Sequence, residues 1–99
     1  MDNYKFTKGK WQIAGSENTF VYALNEKGTN AFSLNINNDG KTPLEEQQAN
    51  ALLISKAPEM LEMLNKCFYM CDKLQFPTEQ ELNTIKLEIK QLIKEATIL

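Results

Sequence analysis

The chain carries three prolines, at positions 43, 58 and 77, and the residues around each read as the start of a helix. Thr42-Pro43-Leu44-Glu45 combines an N-cap threonine, a proline at the first helical position and a capping-box glutamate. Pro58 lacks an N–H and disfavours helical geometry at Ala57, so a helix arriving from Pro43 stops there and another begins. Phe76-Pro77-Thr78 is the next break, and Thr78-Glu79-Gln80-Glu81 repeats the capping-box pattern. Three helices are expected, over 43–56, 58–75 and 79–96, the last two forming an αα-hairpin.

Before the first proline the period changes from helical to alternating. Lys10 to Gly15, Thr19 to Asn25 and Asn30 to Asn37 are rich in β-branched or aromatic residues and are bounded by turn formers, which predicts a three-stranded antiparallel meander over 10–37. Gly15-Ser16-Glu17-Asn18 is the first turn and Asn25-Glu26-Lys27-Gly28 a tight hairpin. Phe20, Tyr22 and Leu24 alternate with Thr19, Val21 and Ala23, so one apolar sheet face needs a cover. The fold class is α+β, a single domain over 1–99. A chain of this length buries roughly 65% of its unfolded surface, enough for one modest core.

The last two helices carry more apolar surface than one seam uses. Leu82, Ile85, Ile89, Leu92, Ile93 and Ala96 form a stripe on the third helix. Lys86, Lys90 and Lys94 flank it on one side and Glu81, Glu88 and Glu95 on the other. The lysine ladder fits a solvated face near a helix C-terminus, a partner for acidic flanks of other helices, or an anion site. On the second helix Met60, Leu61, Leu64, Cys67, Phe68 and Cys71 belong to an arc of about half the circumference. That arc is expected to pack on the sheet with one side and on the third helix or a second subunit with the other. With Leu87 exposed, homo-oligomerisation is expected through Leu82, Ile85, Leu87, Ile89, Leu92 and Ile93, against the alternative of a compact monomer.

Several chemistries lack their usual residues. There is no histidine, the usual general base near neutral pH, and every basic residue is lysine, so no guanidinium fork can clamp a phosphate. Cys67 and Cys71 sit at i, i+4 of one helix and read as buried thiols rather than metal ligands. No enzyme activity, metal or cofactor is expected. A net charge of -2 argues against nucleic acid. Neither a signal peptide nor a membrane span is discernible, which implies a cytoplasmic protein. Tyr4-Lys5-Phe6-Thr7-Lys8-Gly9-Lys10-Trp11 interleaves aromatics with lysines, a combination that stacks a base and attracts a phosphate. Equally, lysines guard edge strands and Trp11 can cap a core. Asn25, Asn30 and Asn50 could bond a polar ligand, although asparagine near a hairpin usually serves the turn.

Trp11, the segment from Val21 to Phe32 and the segment from Ala49 to Leu61 together resemble a family of small phage and prophage proteins. The pattern is a tryptophan, a "VYALN, Gly, Asn, Phe" hairpin and an "ANA, Leu-Ile, Ala-Pro, Leu-Leu" double helix, covering roughly residues 8 to 65. The chain departs from it at Lys8-Gly9-Lys10, where a Pro-Gly-Pro turn often stands. The resemblance implies a mobile-element origin and a place in the host cytoplasm rather than an activity. Small phage proteins without active sites often antagonise host defence, some by sequestering nucleotide-derived signals between subunits. The expectation is therefore a non-enzymatic oligomer holding a small anionic ligand with Lys8, Lys10, Trp11, Tyr22, Asn25, Asn30 and Asn50. The alternative is a module that grips a host protein through its C-terminal helices.

Overall fold

The computed structural model describes residues 4–36, 40–73 and 77–98, the side chain of Lys73 excepted. Three strands, β1 (Gln12–Ala14), β2 (Phe20–Leu24) and β3 (Asn30–Asn35), precede three helices, α1 (Leu44–Ser55), α2 (Ala57–Lys73) and α3 (Glu79–Thr97). The sheet is an antiparallel meander in the order β1-β2-β3, so the architecture is the expected α+β one. Each strand is shorter than its sequence signal. The expected bounds at Asn37 and at Leu74 to Phe76 lie outside the described residues.

Turn chemistry sets the register. Gly28 adopts φ +81° and donates to Asn25 O at 3.0 Å, while the Asn25 side chain accepts from the N–H groups of Lys27 and Thr29. Gly15, at φ +92°, lies so close to the Phe20 ring that a Cβ there would sit 3.0 Å from it. With Val21 opposite Ile13 and Leu34, and Ala23 opposite Phe32, these five side chains share one face. Phe20, Tyr22 and Leu24 stand on the other.

The cover over the first face is α1. It packs against β1, β2, α2 and α3, whereas among the described residues α2 and α3 approach no strand. This corrects the expectation that α2 lies on the sheet. The buried row of α1 is Gln47, Ala51 and Ser55, at i, i+4 and i+8, and beneath it Thr19, Val21 and Ala23 are buried. Small side chains on both surfaces let helix and sheet approach closely, so the sealed face of β2 is its small-residue face while Phe20 and Leu24 remain exposed. Gln47 donates its side-chain N–H to Thr42 O at 2.7 Å, and Gln48 donates to Glu17 O at 2.8 Å, which fastens α1 to the first turn.

The helix starts behave unequally. Thr78 and Glu81 close a full capping box, with Glu81 N–H on Thr78 Oγ1 at 3.1 Å and Thr78 N–H on Glu81 Oε1 at 2.8 Å. At α1 the cap position falls on Pro43, not Thr42, and no side-chain cap bond forms. The break before Pro58 is one residue long, at Lys56, because a proline in the first turn of α2 has no N–H to lose from the helix.

Candidate functional site

Two regions hold the exposed chemistry. The first is the α2/α3 hairpin. Lys66 and Met70 of α2 meet Ile85 and Glu88 of α3 across a cleft of about 570 Å³, which fixes the sides that face each other. Lys66 Nζ reaches Glu88 Oε2 at 2.6 Å, and that bond, with the Glu88 charge behind it, raises the Lys66 pKa. At about 100° per residue, Leu64 and Cys71 turn away from the cleft in the same rotational sense as Leu82 and Ile93 do on α3, while Phe68, two residues from both Lys66 and Met70, points directly away from it. In an antiparallel pair that places Leu64, Cys71, Leu82 and Ile93 on one side, with Phe68 at its outer edge. They are bare there: Leu64 is 65% exposed, Phe68 66%, Leu82 51% and Ile93 59%. Cys71 is exposed as well, which corrects its reading as a core thiol, while Cys67 is half-buried.

The residues expected at an oligomer interface therefore divide. Leu82 and Ile93 lie on the bare side, Ile85 lines the cleft, and Ile89 and Leu92 are half-buried. Leu87, 65% exposed, projects from the opposite side. Ala96, at the base of the stripe, is buried. The flanking charges divide too. Glu81 caps its helix, Glu88 holds Lys66 and Glu95 accepts from Gln91, whereas Lys86, Lys90 and Lys94 pair with no carboxylate among the described residues.

The second region lies where the N-terminal segment crosses α2. Tyr4 and Phe6 stack at 5.6 Å between ring centroids, and Lys8 Nζ sits 4.5 Å from the Phe6 centroid while donating to Tyr4 O at 2.6 Å. Tyr4 OH donates to Asn65 Oδ1 at 3.4 Å, which ties the segment to α2. Between them opens a pocket of about 420 Å³ whose walls include Phe6, Lys8 and Lys10 on one side and Glu59, Leu61 and Glu62 on the other.

Of the seven residues expected to line a ligand site, this pocket unites Lys8 and Lys10. Trp11 lies edge-on to Phe32 at 5.0 Å, with its indole N–H on Thr7 O at 3.2 Å, at the margin of the sealed sheet face. Tyr22 stands on the opposite face and donates to Gln12 Oε1 at 3.3 Å. Asn25 is engaged in its hairpin, and the Asn30 amide lies 2.6 Å from Ser33 Oγ at a bulge between Ala23 and Leu24. Asn50 is exposed on the outer side of α1. Sequence reasoning did not connect Glu59, Glu62 and Asn65 with this site. The aromatic-lysine spacing of residues 4 to 10 was its available signal, and nothing local says which helix that segment crosses.

Among the described residues no group of His, Cys, Asp and Glu is placed to hold a metal ion, and no helix is long and apolar enough to cross a membrane. No curated protein and no solved structure matches the chain. The family described as Salmonella phage P22 protein Y8K6 matches residues 1–97, and the chain belongs to that phage protein family.

Proposed function

We propose that this phage protein is a non-enzymatic accessory protein that works by association, and that the surface it uses is the bare side of the α2/α3 hairpin. The observation that carries this reading is the exposure of Leu64, Leu82 and Ile93 on one side of two helices, with Phe68 at its outer edge and no strand against either helix among the described residues. Apolar patches of this kind mark interaction surfaces. The first partner is a second copy. Helices of 17 and 19 residues present a face about 25 Å long and about two helix diameters wide, on the scale of an ordinary interface. The chain alone is extended, 50 × 32 × 18 Å with a radius of gyration of 16.3 Å, against about 13 Å for a compact domain of this length.

Sedimentation tests it. The chain is expected to sediment as a dimer and Leu64→Glu as a monomer with unchanged helix content, since Leu64 is exposed within one copy. A monomeric parent chain at about 100 μM would sink the self-association version. A grip on a host protein uses the same surface, and a monomer that pulls Leu64 into a host complex supports that version.

A second reading, counter-defence by sequestering a small anionic signal, is favoured by one observation. Lys8 and Lys10, both unpaired with carboxylates among the described residues, share a pocket with stacked aromatic rings.

A further inference from the structure

The geometry points to the pocket between residues 4–10 and α2 as a purine-nucleotide site that prefers guanine, its base stacking on the Tyr4/Phe6 pair and its phosphate met by Lys8 and Lys10. This rests on the small-anion reading and names the ligand class; it is independent of the dimer.

Charge decides the sign of the ligand. The pocket holds two lysines and two glutamates, and one of the acids is compensated from outside it. Glu59 lies 3.7 Å from Lys56, whereas Lys66, one turn after Glu62, is already bonded to Glu88 at 2.6 Å, which leaves Glu62 as one acid against two lysines. Lys8 and Lys10 have no such partner among the described residues, so the uncompensated charge in the pocket is positive. Lys8 is held in place by Tyr4 O and the Phe6 ring, which lowers the entropy lost when it meets a phosphate. Without arginine the contact is made by point charges, which suits a terminal phosphate free to turn.

The aromatic pair supplies the second requirement. Stacking a base on an aromatic ring is worth about 1–3 kcal/mol and does not distinguish one base from another. Discrimination comes from Glu62. An ionised carboxylate only accepts hydrogen bonds, and guanine presents a ring N–H beside an exocyclic NH₂, two adjacent donors for its two oxygens. Adenine offers one NH₂ beside a ring nitrogen whose lone pair repels the carboxylate. A volume of about 420 Å³ lies within the range of small-molecule sites.

Isothermal titration of the full chain with GMP, AMP and inorganic phosphate tests the site. GMP is expected to bind at least about tenfold more tightly than AMP and phosphate more weakly than either. Phe6→Leu keeps the apolar volume and removes the ring stack; with Lys10→Gln it should weaken GMP by about tenfold, circular dichroism remaining unchanged. Glu62→Gln should bring the GMP-to-AMP ratio close to one. Equal binding of GMP and AMP by the parent chain would overturn the guanine assignment while leaving the small-anion reading intact. Absence of binding by all three anions at millimolar concentration would overturn both.

Discussion

The sheet half and the hairpin half of this protein solve the burial problem in opposite ways. In the sheet half a helix with almost no large apolar residue on its inner row, Gln47, Ala51 and Ser55, seals a strand face made of Thr19, Val21 and Ala23. In the hairpin half, large residues such as Leu64 and Phe68 line a strongly amphipathic helix and stay in contact with solvent. Side-chain size therefore predicts neither core nor surface here. What decides burial is whether another element lies above the residue, and among the described residues α1 is the helix that lies above the sheet.

That contrast can be broken by substitution. The largest effect is expected where the packing is closest: Ala51→Leu, at a fully buried position, should cost about 2–3 kcal/mol in chemical denaturation by prising α1 off β2. In the same measurement at high dilution Leu64→Glu should stay within about 0.5 kcal/mol. Equal losses at the two positions would show that the hairpin face is covered within one chain. Thr78→Ala should cost about 1 kcal/mol and fray the start of α3, read as a loss of helical ellipticity, because its hydroxyl accepts the Glu81 N–H.

The smallest expected effect is on pH. Hydrogen bonding from the Thr78 backbone N–H, and secondarily its hydroxyl, holds the Glu81 carboxyl below the ordinary carboxylate value. A lowered folded pKa adds stability above the ordinary value, and that stability is lost as the pH falls through the folded one. Acid titration of the parent chain should therefore fray α3 slightly in this window. In Glu81→Gln, which keeps a capping-box side chain but carries no charge, that component should be missing. An identical acid profile in the two proteins would remove the box from the account of α3.

Much of the fold was legible in the chain itself. The meander, both turns, the three helices and the αα-hairpin follow from strand alternation, Gly28, the prolines and the Thr78-Glu81 pair, all of them local signals. Thr42 was less informative than Thr78 because Pro43 itself takes the cap position. The candidate site was legible in part. The aromatic-lysine pattern of residues 4 to 10 brought Lys8 and Lys10 forward, but Asn25 and Asn30 are engaged in their own hairpin, and Tyr22 fell on the far side of the sheet from Trp11.

The amino-acid order by itself determined the number, type and order of the elements and which residues share a face, because these depend on backbone sterics, capping and period within a few positions. Only the tertiary structure decided which faces are covered. Gln47, Ala51 and Ser55 give α1 hardly any apolar period, so nothing local announces it as the lid of the sheet, whereas the strong period of α2 suggested a cover that went elsewhere. Close seating depends on the fit between two surfaces distant in the chain, and so does the pocket formed where residues 4 to 10 cross Glu62.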